Sequence, residues 1–263
     1  MPHPTVNIAV RAARAAGSII VRNLDQVGNL RIDAKGANDF VTDVDRRAEQ
    51  EIIRVLHRAY PDYGVLAEES GASGDEGTVW IIDPLDGTTN FLHGFPQFSV
   101  SIALRHQGRL EHGVVYDPLR HEIFTASRGE GAYLNDRRIR ISAQGMEGAL
   151  IGTGFPFRLP HRLEDYLKCF SALFKQVADM RRAGSAALDL AYVAAGRLDG
   201  FWEFGLSPWD MAAGALLIQE AGGLVGDFSG GDKFLEKGDI IGGNPTVFKT
   251  LLQNIQENLT PLK

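Results

Sequence analysis

Hydrophobic spacing divides the chain into two parts with different patterns. In the first part, apolar residues recur at helical spacing over residues 5–24 and 46–60, which predicts two amphipathic helices. Apolar runs and apolar–polar alternation predict strands at residues 65–67, 80–83, 98–104, 113–116 and 122–126. Because these strands follow one another through short turns, we predict a largely antiparallel sheet.

In the second part, predicted strands alternate with predicted helices, which is typical of an α/β layer. The strands are predicted at residues 149–152, 179–182, 198–201 and 240–241, and the helices at residues 163–177, 185–195, 208–221 and 246–258. The sequence has no recognisable repeat, low-complexity tract or long linker. We therefore expect residues 1–263 to form a single unit, in which an α+β half (1–142) packs against an α/β half (143–263).

Residues 80–91, Trp-Ile-Ile-Asp-Pro-Leu-Asp-Gly-Thr-Thr-Asn-Phe, place two carboxylates, Asp83 and Asp86, after a buried apolar run. Pro84 lacks an N–H group, so we expect the chain to leave the sheet there. Gly87 permits a close backbone approach, and the Thr-Thr-Asn that follows offers caps for a helix. Carboxylates bind hard cations and helix N-termini bind anions, so the stretch fits a metal-assisted phosphate site. Asp-Pro and Asp-Gly are also ordinary turn dipeptides, so a plain strand-to-helix turn explains this stretch equally well.

Three further acids lie at the ends of predicted elements. Glu68 ends the strand that precedes the one ending at Asp83, so neighbouring strands would bring these two acids together. Asp45 and Asp210 lie at helix starts, and helix capping explains each of them when taken alone. Converging carboxylates repel one another without cations, and an oxygen-only set of ligands suits Mg²⁺ or Mn²⁺ better than Zn²⁺.

Composition excludes several other kinds of site. The net charge of −6 gives no support for broad nucleic-acid binding. Cys169 is the only cysteine, which excludes an intrachain disulfide and a thiolate metal cluster, and we interpret it as a packing residue. No P-loop motif and no zinc-type histidine spacing is present. The N-terminus lacks signal-peptide features and no apolar run could span a bilayer, so we expect a cytoplasmic protein with no membrane partner.

Residues 80–91 strongly resemble a signature of the inositol monophosphatase family. Trp209-Asp210 with the Ala-Gly-rich helix up to Gly223 resembles its second signature. Further matches in order and spacing are Lys35, Val41-Thr42, Asp45, Glu68-Glu69-Ser70, Gly184 to Ala187 and Glu203. The likeness extends from about residue 5 to the end and is greatest to the bacterial SuhB branch. It implies a layered α-β-α-β-α sandwich of the Mg-dependent, Li-sensitive sugar phosphatase type, and a homodimer.

The resemblance also implies a site with two to three Mg²⁺ ions, for which Mn²⁺ could substitute. The implied metal ligands are Glu68, Asp83 and the Leu85 carbonyl for one ion, and Asp83, Asp86 and Asp210 for a second. The implied catalytic residues are Asp45 and Thr88, which would orient the attacking water, and Glu68, near which a third ion would bind through water. The implied substrate contacts are Asp86, Gly87, Thr88, Gly184, Ser185, Ala186 and Glu203, with the phosphate on the N–H groups of Gly87 and Thr88.

The expected function is hydrolysis of myo-inositol 1-phosphate in a single catalytic unit. The expected mechanism is attack by a metal-activated water without a covalent phosphoenzyme, and Li⁺ is expected to inhibit. One alternative is a related phosphatase acting on a sugar bisphosphate, an adenosine bisphosphate or histidinol phosphate, with the choice made by loops 154–162 and 226–239. Another is a non-catalytic role in transcription antitermination with RNA polymerase and Nus factors. Basic residues at 137–140 and at 181–182 hint at such a partner, and Arg181 and Arg182 could equally serve a dimer interface.

Overall fold

The computed structural model describes residues 3–25, 32–36 and 39–259, with the backbone alone for 32–36 and 39–41. The side chain of Lys35, which matches the family pattern in sequence, lies outside this description. The helices are α1 (Pro4–Asn23), α2 (Asp43–Ala59), α3 (Thr88–Leu92), α4 (Leu163–Phe174), α5 (Ala186–Ala194), α6 (Pro208–Glu220), α7 (Phe234–Lys237) and α8 (Pro245–Asn258). Short 3₁₀ turns occur at Met146–Gly148 and Pro160–Arg162.

The strands form a hairpin and two larger sheets. Those of the hairpin and the first large sheet are β1 (Ile32–Gly36), β2 (Asp39–Thr42), β3 (Gly64–Ala67), β4 (Gly71–Ser73), β5 (Thr78–Asp86), β6 (Ser99–His106), β7 (Arg109–Asp117), β8 (Glu122–Ser127), β9 (Gly131–Leu134) and β10 (Arg137–Arg138). Those of the second large sheet are β11 (Leu150–Thr153), β12 (Asp179–Arg181), β13 (Gly200–Glu203), β14 (Leu224–Gly226) and β15 (Ile240–Gly243).

The first large sheet has eight strands in the order β10-β9-β8-β7-β6-β5-β3-β4. All its pairings are antiparallel except β3 with β5, which is parallel, so the predicted largely antiparallel sheet is confirmed. On β6, Val100, Ile102 and Leu104 pack in the core with α1 and α2. The opposite face of β6 carries Ser101 and Ala103, and these small side chains leave room for a helix to approach closely.

The second sheet has five strands in the order β12-β11-β13-β15-β14. β11 pairs in parallel with β12 and β13, whereas β15 is antiparallel to both of its neighbours. Helices α5 and α6 lie between the two sheets and share one hydrophobic core with both. Helices α4 and α8 cover the outer face of the second sheet. The molecule is thus a five-layered α-β-α-β-α sandwich, as predicted.

Pro84 does not end its strand, contrary to the sequence-based expectation. β5 continues to Asp86, and the pairing register with β6 shifts between Asp83, opposite Ser101, and Asp86, opposite Ser99. Proline removes one ladder hydrogen bond, and a bulge accommodates this loss without ending the strand. In a regular strand, residues three apart point to opposite faces, so the extra bulge residue is what directs both carboxylates toward one side.

Other elements also differ from the expectation. β1 and β2 pair as a hairpin in a segment for which the sequence predicts no element, and β14 and α7 have no counterpart in the prediction either. These are short elements of three to five residues, which carry too little periodicity to be recognised. Across the described part of the chain, no helix has the length and apolar character needed to cross a membrane.

Candidate metal and phosphate site

A cleft of about 330 Å³ opens where the end of β5 meets the first turns of α3, α5 and α6, a size that suits a small ligand. Residues 153–158 form one of its walls. The cleft is lined by almost every residue that the sequence assigns to a site, namely Glu68, Asp83, Leu85, Asp86, Gly87, Thr88, Gly184, Ser185, Ala186, Glu203 and Asp210. Asp45 is the exception, because it lies behind this surface.

Asp83, Asp86 and Asp210 form a buried acidic cluster. Each offers a carboxylate oxygen, and these oxygens lie within 4.8 Å of one another. The β5 bulge aims the first two, and the start of α6 supplies the third. Asp210 Oδ2 accepts hydrogen bonds from the Ser207 N–H at 2.7 Å and from Arg158 Nη1 at 3.3 Å. Capping and metal binding are therefore compatible roles for Asp210, since its second oxygen has no part in these contacts.

Burial raises the pKa of every acid in this cluster, and repulsion by neighbouring acids adds to this for Asp83 and Asp86. The pKa of Asp83 lies well above its ordinary value because of desolvation and the charges of Glu68, Asp86 and Asp210. Burial and the Asp210 charge raise the pKa of Asp86 to about 7, although hydrogen bonds from Ser185 and Ala187 oppose the shift. Burial also raises the pKa of Asp210, against the opposing charge of Arg158. A buried set of oxygen ligands that repel one another fits a hard divalent cation, so this cluster could hold a metal ion.

Glu68 is brought to this cluster by strand pairing. β3 runs parallel to β5, and the Glu68 N–H donates to the Ile82 carbonyl at 3.1 Å, one residue before Asp83. The electrostatic influence of Glu68 on the pKa of Asp83 and of Asp86 agrees with this placement. The two acids are neighbours, as the order of the predicted strands indicates.

Asp45 reaches the cleft through Thr88. Asp45 is fully buried in the first turn of α2, where Thr42 caps the helix and donates to Asp45 through both its N–H and its hydroxyl. The hydroxyl of Thr88 lies 2.9 Å from Asp45 Oδ1 and 3.0 Å from the Leu85 carbonyl oxygen. Burial raises the pKa of Asp45, with the hydrogen bonds from Thr42 and Thr88 acting against it. Capping of α2, the simpler explanation for Asp45, is thus correct, and the same carboxylate also holds Thr88.

Gly87 connects β5 to α3 in a conformation that suits only glycine. Its φ is +96°, and a Cβ there would lie 2.9 Å from the Gln97 carbonyl oxygen and 3.2 Å from that of Gly184. The first helical hydrogen bond of α3 runs from the Phe91 N–H to the Gly87 carbonyl, so the N–H groups before Phe91 lack helical acceptors. These N–H groups begin at the floor of the cleft, next to the acidic cluster.

The opposite wall comes from α5 and β13. Ser185 Oγ and the Ala187 N–H donate to Asp86 Oδ2 at 2.5 and 2.8 Å, which ties the start of α5 to the acidic cluster. Glu203 ends β13, and a Cβ on Gly154 would lie 1.9 Å from its carboxylate oxygen, so glycine at 154 makes room for this acid. Burial and the charges of Asp210 and Asp189 raise the pKa of Glu203 well above its ordinary value.

Sequence reasoning missed several residues that line the cleft or hold it together: Asn90, Arg158, Arg182 and Asp189. Asn90 Nδ2 lies 2.6, 2.9 and 3.2 Å from the carbonyl oxygens of Gln97, Ala183 and Gly184, and so joins α3 to the segment before α5. Asp189 has a sequence signal, since it is the one charged residue in the apolar α5, and α6 likewise has no charged residue except Asp210 until its last residue, Glu220. The two arginines lie in loops, where position alone does not predict what they face.

The basic residues noted in the sequence have different environments. Arg137, Arg138 and Arg140 are exposed at the edge of the first sheet. Arg181 pairs with Asp179 at 2.5 Å on the surface. Arg182 lies 5.3 Å and 5.2 Å from the ring centres of Phe155 and Phe157 and lines the cleft, so it belongs to the site.

Comparison with known proteins agrees with the fold. A profile of the inositol monophosphatase family matches residues 1–260. The Nus factor SuhB of Pseudomonas aeruginosa is 58% identical over 265 residues, covering 98% of both chains. The crystal structure of the extragenic suppressor protein suhB from Bartonella henselae superimposes with a TM-score of 0.95 and 47% identity, covering 98% of this chain and 100% of that one. An inositol monophosphatase from Anabaena (Nostoc) sp. is 36% identical with a TM-score of 0.86, covering 97% and 96%. The chain belongs to the inositol monophosphatase family.

Proposed function

We propose that this protein is a Mg²⁺-dependent phosphate monoesterase that hydrolyses myo-inositol 1-phosphate. The observation that carries the proposal is the buried cluster of Asp83, Asp86 and Asp210 beside the free N–H groups that start α3. This pairing of anionic and N–H-donating groups suits a cation and a phosphate bound together. An inositol monophosphatase among the similar structures supports the choice of substrate.

The residues proposed to hold two Mg²⁺ ions are Glu68, Asp83 and the Leu85 carbonyl for one, and Asp83, Asp86 and Asp210 for the other, with a third ion held near Glu68 through water. Mn²⁺ has the same preference for oxygen ligands. When bound, these ions would neutralise the phosphate and the departing alkoxide and lower the pKa of a water molecule. Li⁺ is proposed to inhibit, as implied by the family resemblance.

Thr88 and Asp45 are proposed to orient the attacking water. The Thr88 hydroxyl donates its single hydrogen bond to Asp45, which leaves the lone pairs of its oxygen able to accept a hydrogen bond from water. Asp45 is buried and its pKa is raised, so it is a stronger base than an exposed aspartate. The water would then attack phosphorus directly, with no covalent intermediate.

The remaining predicted residues are proposed to hold the substrate. The N–H groups of Gly87 and Thr88 would donate to the phosphate. Gly184, Ser185, Ala186 and Glu203, with Asp86, all line the cleft and would face the inositol ring. In phosphoryl transfer, rate enhancement comes mostly from such positioning and electrostatic stabilisation.

The test of this function is Mg²⁺-dependent release of phosphate from myo-inositol 1-phosphate, with and without Li⁺. Asp83→Asn removes a carboxylate that both ions would share. Loss of a residue behind a metal ligand costs about 10- to 100-fold, so loss of the shared ligand itself should exceed about 100-fold in kcat. Thermal unfolding should show Asp83→Asn folded, because it removes a repelling buried charge. Normal turnover by this variant would refute the assignment of Asp83 as a metal ligand.

A panel of other esters separates the related activities. A sugar bisphosphate, an adenosine bisphosphate and histidinol phosphate should each have a lower kcat/KM than myo-inositol 1-phosphate. A higher value for one of them would reassign the substrate while keeping the phosphatase class.

We also propose that the protein is a homodimer. Helix α4 exposes Leu163, Leu167 and Phe174 by 46%, 52% and 65%, and Phe155 and Phe157 are exposed by 40% and 48%. Clustered exposed apolar side chains are typical of interaction surfaces. Light scattering should give twice the chain mass, and Leu167→Lys with Phe174→Glu should give the monomer. A monomeric wild type would overturn the proposal.

A second candidate function is a partner role in transcription antitermination, because similar proteins carry the name Nus factor SuhB. The exposed Arg137, Arg138 and Arg140 offer a basic edge for such a partner. Pull-down of RNA polymerase and Nus factors should be compared for the wild type, Asp83→Asn and a triple Arg→Ser variant. If Asp83→Asn still captures RNA polymerase and Nus factors and the triple variant does not, the partner role is independent of catalysis and uses the basic edge. If the wild type captures neither RNA polymerase nor Nus factors, the proposed partner role is refuted.

A further inference from the structure

Asp189 stands out among the residues of the cleft because nothing in the proposed mechanism uses it. It lies one turn into α5, whose other residues, Ala-Ala-Leu before it and Leu-Ala-Tyr-Val-Ala after it, carry no charge. It is 2% exposed and it lines the cleft. It is not one of the three acids whose oxygens cluster to hold a metal. A solvated acid at a helix start would not be buried in this way.

No described residue donates a hydrogen bond to the Asp189 carboxylate. The neighbouring Asp86 accepts the hydrogen bonds of the Ser185 hydroxyl and the Ala187 N–H, two donors at this end of α5. Arg182 is the one cation whose charge favours ionised Asp189, and Asp86 opposes it. A buried polar group without a partner destabilises the fold, so native structures rarely keep one without a function.

The surroundings define what would satisfy this carboxylate. The charge of Asp189 contributes to the raised pKa of Glu203, and the charge of Arg182 lowers the pKa of both acids. Two ionised acids and one arginine leave this wall with a net negative charge, so an anionic ligand group would be repelled there. Neutral hydroxyl groups can donate to both acids without adding charge. Several such donors close together are found on a polyhydroxylated alcohol.

We propose that Asp189 is a specificity-determining residue that accepts hydrogen bonds from hydroxyl groups of the alcohol portion of the substrate, so that the cleft selects polyol phosphates. The proposal rests on the phosphatase function proposed above and extends it to a residue outside the metal cluster. A site built to hydrogen-bond hydroxyl groups discriminates strongly against an analogue without them, because its polar groups then stay unpaired. A structural role for Asp189 would have no such dependence on the hydroxyl groups of the ligand.

The test compares myo-inositol 1-phosphate with cyclohexyl phosphate, which has the same six-membered ring without hydroxyl groups. Asp189→Leu should lower kcat/KM for the inositol ester by about 100-fold, mainly through KM, and leave cyclohexyl phosphate within about twofold of the wild type. Asp189→Asn keeps an acceptor oxygen and should retain part of the discrimination. Asp136→Asn, the same change on an exposed turn, should leave both substrates unaffected.

Thermal unfolding checks that the variants fold, and neither Asp189 variant should have a lower Tm than the wild type. Equal effects of Asp189→Leu on the two esters, or no effect on either, would overturn the proposal. Failure of the wild type to hydrolyse either ester would refute the phosphatase function instead. In that case calorimetric titration with the same two esters decides the role of Asp189, since weaker binding of the inositol ester alone to Asp189→Leu supports it and any other pattern refutes it.

Discussion

The hydroxyl of Thr88 has one proton and two acceptors within reach, Asp45 Oδ1 and the Leu85 carbonyl oxygen. The Leu85 carbonyl is also a proposed metal ligand. If the Leu85 carbonyl oxygen binds a cation, the Thr88 hydroxyl can donate its hydrogen bond only to Asp45. Metal binding and the orientation of the water would thus be linked through one side chain.

Thr88→Val keeps the shape of Thr88 and removes its hydroxyl. Because the proposed proton path to Asp45 is lost, kcat should fall by about 100- to 1,000-fold. Thr88→Ser keeps the hydroxyl and should stay within about tenfold of the wild type, as steady-state hydrolysis of myo-inositol 1-phosphate would show. Equal kcat values for the valine and serine variants would contradict the role.

Gly87→Ala tests the close packing at the start of α3. The cost of φ +96° for a non-glycine residue is about 1–3 kcal/mol, and the carbonyl oxygens of Gln97 and Gly184 add a clash. Gly222→Ala is the matched control, since Gly222 has the same φ and open space around its Cβ position. Each kcal/mol lowers Tm by about 2–4 °C for a chain of this size, and Gly87→Ala should show the larger drop in calorimetry. Equal drops would mean that conformation alone requires glycine at position 87.

At the scale of secondary structure, the site depends on how elements from different layers are joined. The β5 bulge turns two carboxylates to one side, and the parallel pairing of β3 brings Glu68 beside them. Asn90 then ties the start of α3 to the segment that leads into α5. Its amide nitrogen has two protons for three carbonyl oxygens, so every proton there has a partner.

Asn90→Asp should lower the stability of the fold more than Asn90→Ala does. Alanine leaves the carbonyl oxygens without a donor, at a cost of about 1–3 kcal/mol, whereas an ionised aspartate also repels them. Both variants should raise KM for the phosphate ester, because the two walls of the cleft are no longer joined. Thermal unfolding at neutral pH should give the order of Tm wild type, alanine, aspartate, and the reverse order of the two variants would argue against this view of Asn90.

At the scale of the whole molecule, the buried acids make stability depend on pH and on cations. Folding raises the pKa of Asp83, Asp86, Asp189 and Glu203, so the folded state binds protons more tightly than the unfolded chain. Their stabilising contribution is complete below the ordinary carboxyl pKa and is lost as pH rises through the raised values. His112 acts in the opposite sense, because burial lowers its pKa from 6.5 to about 4, and stability is lost as pH falls between these values.

In chelator-treated protein, Tm should therefore fall as pH rises from 7 to 8, a window where His112 is mostly neutral in both states and Asp86, with a pKa of about 7, titrates. Saturating Mg²⁺ should raise Tm, and more so at pH 8, because bound cations replace the protons. Asp83→Asn should show a shallower pH dependence and a smaller response to Mg²⁺. A Tm that does not change with pH without metal would contradict the placement of these acids.

The sequence alone determined the local features of this protein, because they depend on short-range physics. The alternation of apolar and small residues over 98–104 determined a strand whose small-residue face allows another element to pack closely. The stretch Asp-Pro-Leu-Asp-Gly determined which chemical groups the site contains. Tertiary structure decided which distant groups meet. Periodicity shows which face of an element is buried but not which neighbour covers it. The fold alone therefore brought Asp210 to Asp83 and Asp86, set Asp45 behind Thr88 and left Asp189 facing the cleft.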